Sequence, residues 1–353
     1  MTADDIDRLE TTRMGKSTAL HAASFYGHIE VVKLLLEHNA SKTIRNFDNL
    51  TAEDEACTRD IKCLLSNEED NHRFGGSSSE NEPPQWIFVE ENIIAKASSY
   101  RKWLERGSHN MAYSVDTIIE NYLQKDELLE NVHDHNVIKE LLLKAAREND
   151  PTPIVRAYTL ETQFYKCLNR DLASTSIDVL NTHAIFDHVI QQFWNSHGRI
   201  AGIIAQHPKL KKYAHFGKCY RGMQMTDREL FHYKDGNRIM NKSFLSSSIN
   251  ETEACNYALK NFSHTVAVNN NKFPVIFIFT ITNYRTASDI STISEYPEER
   301  EILIAPYSVF EIVHIKGRTF ERMNEDRVVL GKIHGREIEL KECEPETSGC
   351  PMM

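Results

Sequence analysis

Ser294-Glu295-Tyr296-Pro297-Glu298-Glu299-Arg300-Glu301-Ile302-Leu303-Ile304-Ala305-Pro306 sets an acidic, proline-containing segment directly against an apolar run. Pro297 fixes its own backbone and biases Tyr296 toward extended geometry, so the first half reads as a turn. Glu301 to Ile304, bounded by Pro306, reads as the start of a buried strand. Side chains alternate across a strand, so extended geometry would put Glu299 and Glu301 on one face and Arg300 on the other. Two carboxylates where a loop enters a core strand are costly. Like charges that close push one pKa upward, which suits a general base. The plainer alternative is an acidic loop that runs into a strand, since perturbed carboxylates also occur in structural networks.

The 353 residues leave room for two or three domains and a sizeable core. A 26% charged and 41% hydrophobic composition is that of a soluble globular chain. Asp and Glu (51) exceed Lys and Arg (41), giving a net charge of −10 and no basic footprint for nucleic acid. Val275 to Ile281 is the best apolar run and is far too short to span a membrane. Met1-Thr-Ala-Asp-Asp-Ile-Asp7 lacks the basic and apolar parts of a secretory signal. Seven scattered cysteines do not form a disulfide framework, which points to a cytoplasmic protein with reduced thiols.

Ser17-Thr-Ala-Leu-His-Ala-Ala23 followed by Gly27-His-Ile-Glu-Val-Val-Lys-Leu-Leu-Leu36 resembles an ankyrin repeat, two short helices with Gly27 at the turn between them. A weaker copy starts at Thr51, 33 residues after Thr18, and ends in Ile61-Lys-Cys-Leu-Leu65. Such units need about three copies to bury their faces. The pair, residues 1–65, is therefore expected to lean on the rest of the chain or to be the remnant of a longer array. The likeness implies either a protein-binding surface or a structural role. Residues 66–85, rich in Ser, Gly, Asn, Glu and Pro, read as a flexible linker.

Residues 86–150 show helical periodicity at Ile93, Ile94, Ala97, Tyr100 and Leu104, then at Ile118, Ile119 and Leu123, then at Ile138, Leu141, Leu142 and Ala145; they read as a small helical module. His133-Asp-His135 has no third partner in view and reads as a solvated loop rather than a metal site. Ile154 to Leu180 and Ala184 to Ala205 are amphipathic helical stretches. Strand patterns follow at Lys218 to Gly222, Lys242 to Ser248, Pro274 to Ile281, Glu301 to Ile304 and Val309 to Ile315, with a closing pair around Gly331 and Gly335. Helices first and mostly antiparallel strands later indicate an α+β domain over 151–342, with 343–353 as a tail.

Three strand-edge motifs occur in order in that domain: Tyr220-Arg221-Gly222, Ser243-Phe-Leu-Ser-Ser-Ser248 and Glu299-Arg-Glu301. Arg221 offers a planar, permanently charged fork suited to phosphate, and Gly222 lets a ligand approach the backbone. Phe244 reads as core, with a face that could also flank a ligand. Lys209, Lys211 and Lys212 read as a solvated face. Cys350-Pro-Met-Met353 has the form of a prenylation box, but an acidic segment precedes it.

The ordered set, with Ala157-Tyr-Thr159 and Leu168-Asn-Arg-Asp-Leu172 upstream and Ile302-Leu-Ile-Ala-Pro306 downstream, resembles the R-S-E group of mono-ADP-ribosyltransferases, the branch that includes arginine-specific enzymes. The likeness covers about Ile154 to Leu340. It implies a mostly antiparallel two-sheet core with N-terminal helices. NAD, or NADP, is implied as co-substrate and an arginine-bearing protein as acceptor, with no prosthetic group and no metal. It implies that Arg221 holds the phosphates, that the backbone of Gly222 lies near the nicotinamide amide, and that Ser246 orients Glu301 at the ribose. Glu299 falls where arginine-specific members carry Glu, and Tyr296 on the aromatic position of the substrate-recognition turn. Ser247 replaces the Thr usual in the middle of the Ser triplet.

The chemistry agrees with those roles. The nicotinamide–ribose bond releases a neutral leaving group and passes through an oxocarbenium-like state that one carboxylate stabilises. A guanidinium becomes a nucleophile only if a proton is drawn off, which gives the second carboxylate its task. Two alternatives share these residues: an NAD glycohydrolase in which water replaces arginine, and an inactive adaptor in which the ankyrin-like segment does the work.

Overall fold

The computed structural model describes residues 17–38, 40–42, 44–46, 50–58, 61, 65, 86–90, 92–106, 110–160, 162–175, 196–259, 272–323 and 329–343. The expected linker 66–85, the part of the helical stretches within 176–195, and Cys350 lie outside the described residues. Residue contacts divide the chain into two compact units, Met1–Asp70 and Asn71–Met353.

In the first unit, α1 (Ala19–Phe25) and α2 (Ile29–Glu37) form the helix pair read from the repeat pattern. Thr18 and His21 cap α1 reciprocally: the Thr hydroxyl accepts from the His21 backbone, and the His21 ring bonds back to Thr18 N at 3.2 Å. The other ring nitrogen meets the Leu50 carbonyl at 3.1 Å, so this His ties the helix start to the following loop. Gly27 sits at φ +78°, a conformation that L side chains rarely adopt, and reverses the chain between the helices. Leu20, Ala23 and Val32 share one small core with Ala52, Ile61 and Leu65 of the weaker copy.

The second unit begins with β1 (Trp86–Val89), where the periodicity predicts only helix; the four residues are a strand because they pair antiparallel with β3 (Arg238–Asn241). Helices follow: α3 (Asn92–Arg106), α4 (Met111–Thr117) continuing into a π-turn at Ile118–Tyr122, α5 (Asp126–Leu129), α6 (Val132–Glu148), α7 (Thr152–Thr159), α8 (Gln163–Ser174) and α9 (His197–Gln206). His133 and Asp134 occupy the first turn of α6 and give their backbone N–H groups to the Asn131 cap. The remaining elements are β2 (Gly217–Thr226), α10 (Asp227–Leu230), β4 (Leu245–Ser248), α11 (Glu251–Leu259), β5 (Lys272–Ile281), β6 (Ala287–Asp289), β7 (Glu301–Ile304), β8 (Val309–Met323) and β9 (Val329–Glu342). The closing pair read around Gly331 and Gly335 is one strand, β9, which pairs antiparallel along most of β8.

The strands run in the order β1-β3-β8-β9-β5-β2-β4-β7-β6. The mostly antiparallel reading holds; β5 with β9 is the parallel pair among the described strands. The two expected sheets are hydrogen-bonded into one, but β2 and β4 touch through a single pair, Tyr220 with Ser248. That joint separates a larger part ending in β2 from a smaller part, β4-β7-β6. Strand β5 lies well inside the larger part, and its run from Val275 to Phe279 is buried at every residue, as a strand covered on both faces requires.

One apolar cluster runs through both parts and includes Cys219, Phe277, Phe279, Leu245, Ile302 and Ile304. A larger one joins the helices to Phe244, Leu303 and Tyr307. Residues 86–150 share this larger cluster with α7, α8 and α9, so the packing runs on without a break at 150. Arg101 of α3 reinforces that union: fully buried, it donates through Nη1 to Thr286 Oγ1 (3.1 Å) and Ser308 Oγ (2.9 Å). Burial pulls its pKa down to about 10 despite the opposing pull of Glu342.

Candidate active site

Alternation along β7 sends Ile302 and Ile304 into the sheet cluster and leaves Glu301 and Leu303 on the face toward the helices. Across the β4–β7 ladder, Ser248 stands opposite Glu301 and Ser246 opposite Leu303. Directly opposed residues share a face, so Ser246, Ser248, Glu301 and Leu303 line one surface.

Glu301, the first residue of β7, is 0% exposed, and Glu299 is 8% exposed. They do not share a strand face as extended geometry would have it. Pro297–Glu299 is a short 3₁₀ turn, and Arg300 then takes a left-handed conformation at φ 48° before the strand begins. Pro297 starts the turn because its fixed φ is already helical, and the Arg300 N–H closes it on the Pro297 carbonyl at 3.2 Å. A left-handed Arg is strained, so the surroundings must hold it. Three successive carbonyls are held: Glu299 O accepts from Ser248 Oγ (3.0 Å), Arg300 O from Ile249 N (3.2 Å) and Glu301 O from Ile290 N (3.0 Å).

The Ser triplet divides its labour. Ser247, on the opposite face, donates to the Ile302 carbonyl at 2.7 Å, and Ser248 also accepts from Asn250 N at 3.1 Å. Ser246 is buried, and its Oγ has no hydrogen-bond partner among the described residues. A buried hydroxyl left open costs about 1–3 kcal/mol, which a polar substrate would recover.

Arg221 lies on β2 beside the joint and is completely buried, with Nη1 donating to the Ser246 carbonyl at 2.6 Å. Burial lowers its pKa to about 10, while Tyr158 and Glu301 pull it upward; the guanidinium stays charged at neutral pH. The guanidinium thus braces the strand that carries Ser246 and lies within the electrostatic reach of Glu301. Gly222 has no room for a side chain. A Cβ there would lie 1.7 Å from the Ala254 carbonyl oxygen and 2.8 Å from Ala258 N, because α11 crosses directly over β2.

Tyr296 is half-buried and opens the 3₁₀ turn, with its N–H on Ser294 Oγ at 3.1 Å. Two further residues belong to this surface and carry no local signal beyond their place in the upstream motifs. Tyr158, fully buried on α7, packs its ring on Phe244 at 5.2 Å and accepts at its hydroxyl from Asn169 Nδ2 at 3.0 Å. Asn169 Oδ1 is buried with no hydrogen-bond partner among the described residues. Phe244 belongs to the core, as its pattern predicts. Among the described residues no group of three or more His, Cys, Asp or Glu is placed to hold a metal ion, and no helix is long and apolar enough to cross a membrane. The described cysteines, Cys57, Cys167, Cys219, Cys255 and Cys343, are free thiols.

A family model described as NAD:arginine ADP-ribosyltransferase matches residues 149–326, half of the chain. An ankyrin-repeat model matches residues 16–47. A search among curated proteins gave no match. Among solved structures, the chain is similar to the Vis toxin of Vibrio splendidus, an ADP-ribosyltransferase, at 14% identity over 73% of this chain and 88% of that one, with a TM-score of 0.34. It is similar to the ADP-ribosyltransferase HopU1 of Pseudomonas syringae at 16% identity over 72% and 98%, TM-score 0.38. Exoenzyme S of Pseudomonas aeruginosa, bound there to carba-NAD and human 14-3-3 protein beta, matches at 16% identity over 57% and 78%, TM-score 0.33.

Proposed function

The chain belongs to the NAD:arginine ADP-ribosyltransferase family, and from that premise we propose how its buried acids divide the reaction. Glu301 faces the nicotinamide ribose and stabilises the positive charge that develops on it as the C1′–nitrogen bond breaks and nicotinamide leaves neutral. Glu299 receives the arginine guanidinium and takes its proton as the nitrogen closes on C1′. Arg221 supplies fixed positive charge on the phosphate side and braces β4, and the open hydroxyl of Ser246 meets the substrate beside Glu301. Tyr296 offers an aromatic surface to the acceptor. The catalytic unit spans 151–342, NAD or NADP serves as co-substrate, and the ankyrin repeat offers a surface for a protein partner. A cytoplasmic setting is supported by the odd, scattered cysteines.

The observation that carries this reading is the pair of buried carboxylates on either side of a left-handed Arg300, next to a buried hydroxyl with no hydrogen-bond partner among the described residues. A guanidinium acceptor is a cation that a buried carboxylate can receive through charge-assisted hydrogen bonds. The test is incubation with labelled NAD and agmatine, following nicotinamide release and ADP-ribosyl-agmatine together. Formation of the adduct supports the reading. Nicotinamide release with no adduct overturns the arginine acceptor and leaves hydrolysis, and binding of NAD with no turnover overturns catalysis altogether.

A further inference from the structure

The turn that carries Tyr296 and Glu299 is tethered from outside the sheet. The Glu295 N–H donates to Thr159 Oγ1 at 2.9 Å, across 136 residues of chain. Thr159 is the last residue of α7 and is fully buried, and its own hydroxyl proton goes to the Arg156 carbonyl at 3.0 Å. The Thr159 hydroxyl is therefore spent on two backbone groups: its donor closes the helix end and its acceptor fixes the turn. Arg156 adds a second tie, Nε to Glu295 Oε2 at 3.0 Å, but both side chains are more than a third exposed. Exposed pairs contribute little and are screened by salt, so the buried hydroxyl is the stronger tether. Tyr158, one residue earlier, acts on the opposite partner, packing on Phe244 and raising the pKa of Arg221. Consecutive residues of one helix end thus touch the NAD side and the acceptor side of the site.

We propose that Thr159 is a positioning residue for the acceptor: by holding Glu295 it seats Tyr296 and Glu299 for the incoming guanidinium, and it takes no part in breaking the nicotinamide bond. The inference deepens the functional reading above and rests on it. Thr159→Val keeps the branched shape and removes the hydroxyl. The expected result is a KM for agmatine raised roughly ten-fold, the change that one ordinary hydrogen bond supports, with kcat at saturating agmatine and KM for NAD within about two-fold of the parent protein. Thr159→Ser, which keeps the hydroxyl, restores the acceptor KM. Arg156→Gln gives a smaller rise that vanishes in high salt. Hydrogen exchange at the Glu295 amide quickens in Thr159→Val and not in Thr159→Ser.

An unchanged acceptor KM in a folded Thr159→Val protein overturns the proposal while leaving the arginine reading intact. So does a parallel loss in NAD and agmatine kinetics that serine fails to rescue. Absence of adduct from the parent protein overturns the arginine reading itself, whatever the variants do.

Discussion

Glu301 and Glu299 stand two residues apart in the chain and are held by different means. Glu301 is placed by sheet register: Ser248 opposes it, Ile302 and Ile304 beyond it are locked into an apolar cluster, and its carbonyl is tied to Ile290. Glu299 is placed by a turn whose ends hang on two hydroxyls, Thr159 at Glu295 and Ser248 at Glu299, with a strained Arg300 closing it. An acid in a ladder cannot move without unpairing strands, whereas an acid on a turn can be re-aimed by changing one tether. In the reading proposed above, the cleavage step common to any acceptor falls on the rigid position and the step that selects the acceptor on the adjustable one.

The sharpest way to break this contrast is to neutralise each acid in turn. Glu301→Gln is expected to lower both nicotinamide release and transfer to agmatine by about 10³-fold, in line with removal of a preorganised electrostatic group. Glu299→Gln is expected to lower transfer by about 10²-fold, the lower end for loss of a general base, while NAD hydrolysis persists. Equal losses of both activities in the two variants would erase the distinction. Both are read in the labelled-NAD assay.

A third variant loosens the NAD side without touching the turn. Gly222→Ala forces a methyl into the Ala254 carbonyl of α11 and is expected to destabilise the fold by about 2–3 kcal/mol, as overpacking against backbone does; thermal denaturation checks it. The last variant, at His197, remote in sequence from both acids, reads stability against pH. Burial holds its imidazole down to about 4, with Asp171 opposing and Lys125 assisting, and Thr175 Oγ1 lies 3.1 Å from Nε2. The unfolded chain, with an ordinary value near 6.5, takes up the proton first as pH falls. The stabilisation is therefore whole above about pH 6.5 and is lost as pH drops toward 4. Melting curves between pH 7.5 and 4.5 should show a shallower acid decline in His197→Asn than in the parent protein.

Local pattern carried the sheet where apolar runs were bounded by breakers. Glu301 to Ile304 is β7 to the residue, and Pro274 to Ile281 lies within β5. It failed for β1, β3 and β6, whose three or four residues are strands only because a distant partner pairs with them. Arg221, Ser246, Glu299 and Glu301, picked out by residue type, all lie at or beside the joint between the two parts of the sheet. The geometry of the site was less legible. Nothing in an Arg announces a left-handed backbone, so the step between the two acids was misread as strand alternation. The packing of α11 against Gly222, which leaves no room for a Cβ, is something no local rule foretells. Tyr158 and Thr159 matter through partners at 169 and 295, and such contacts leave no trace in periodicity.

The parallel pairing of β5 with β9 bears on how the protein comes into being. β9 is the last of the nine described strands in chain order, yet it lies between β8 and β5 in the interior of the sheet. The larger part of the sheet therefore stays open until nearly all of this sequence has been made. A nascent chain that ends before β9 carries Arg221, Ser246 and both acids but not the strand that joins β8 to β5.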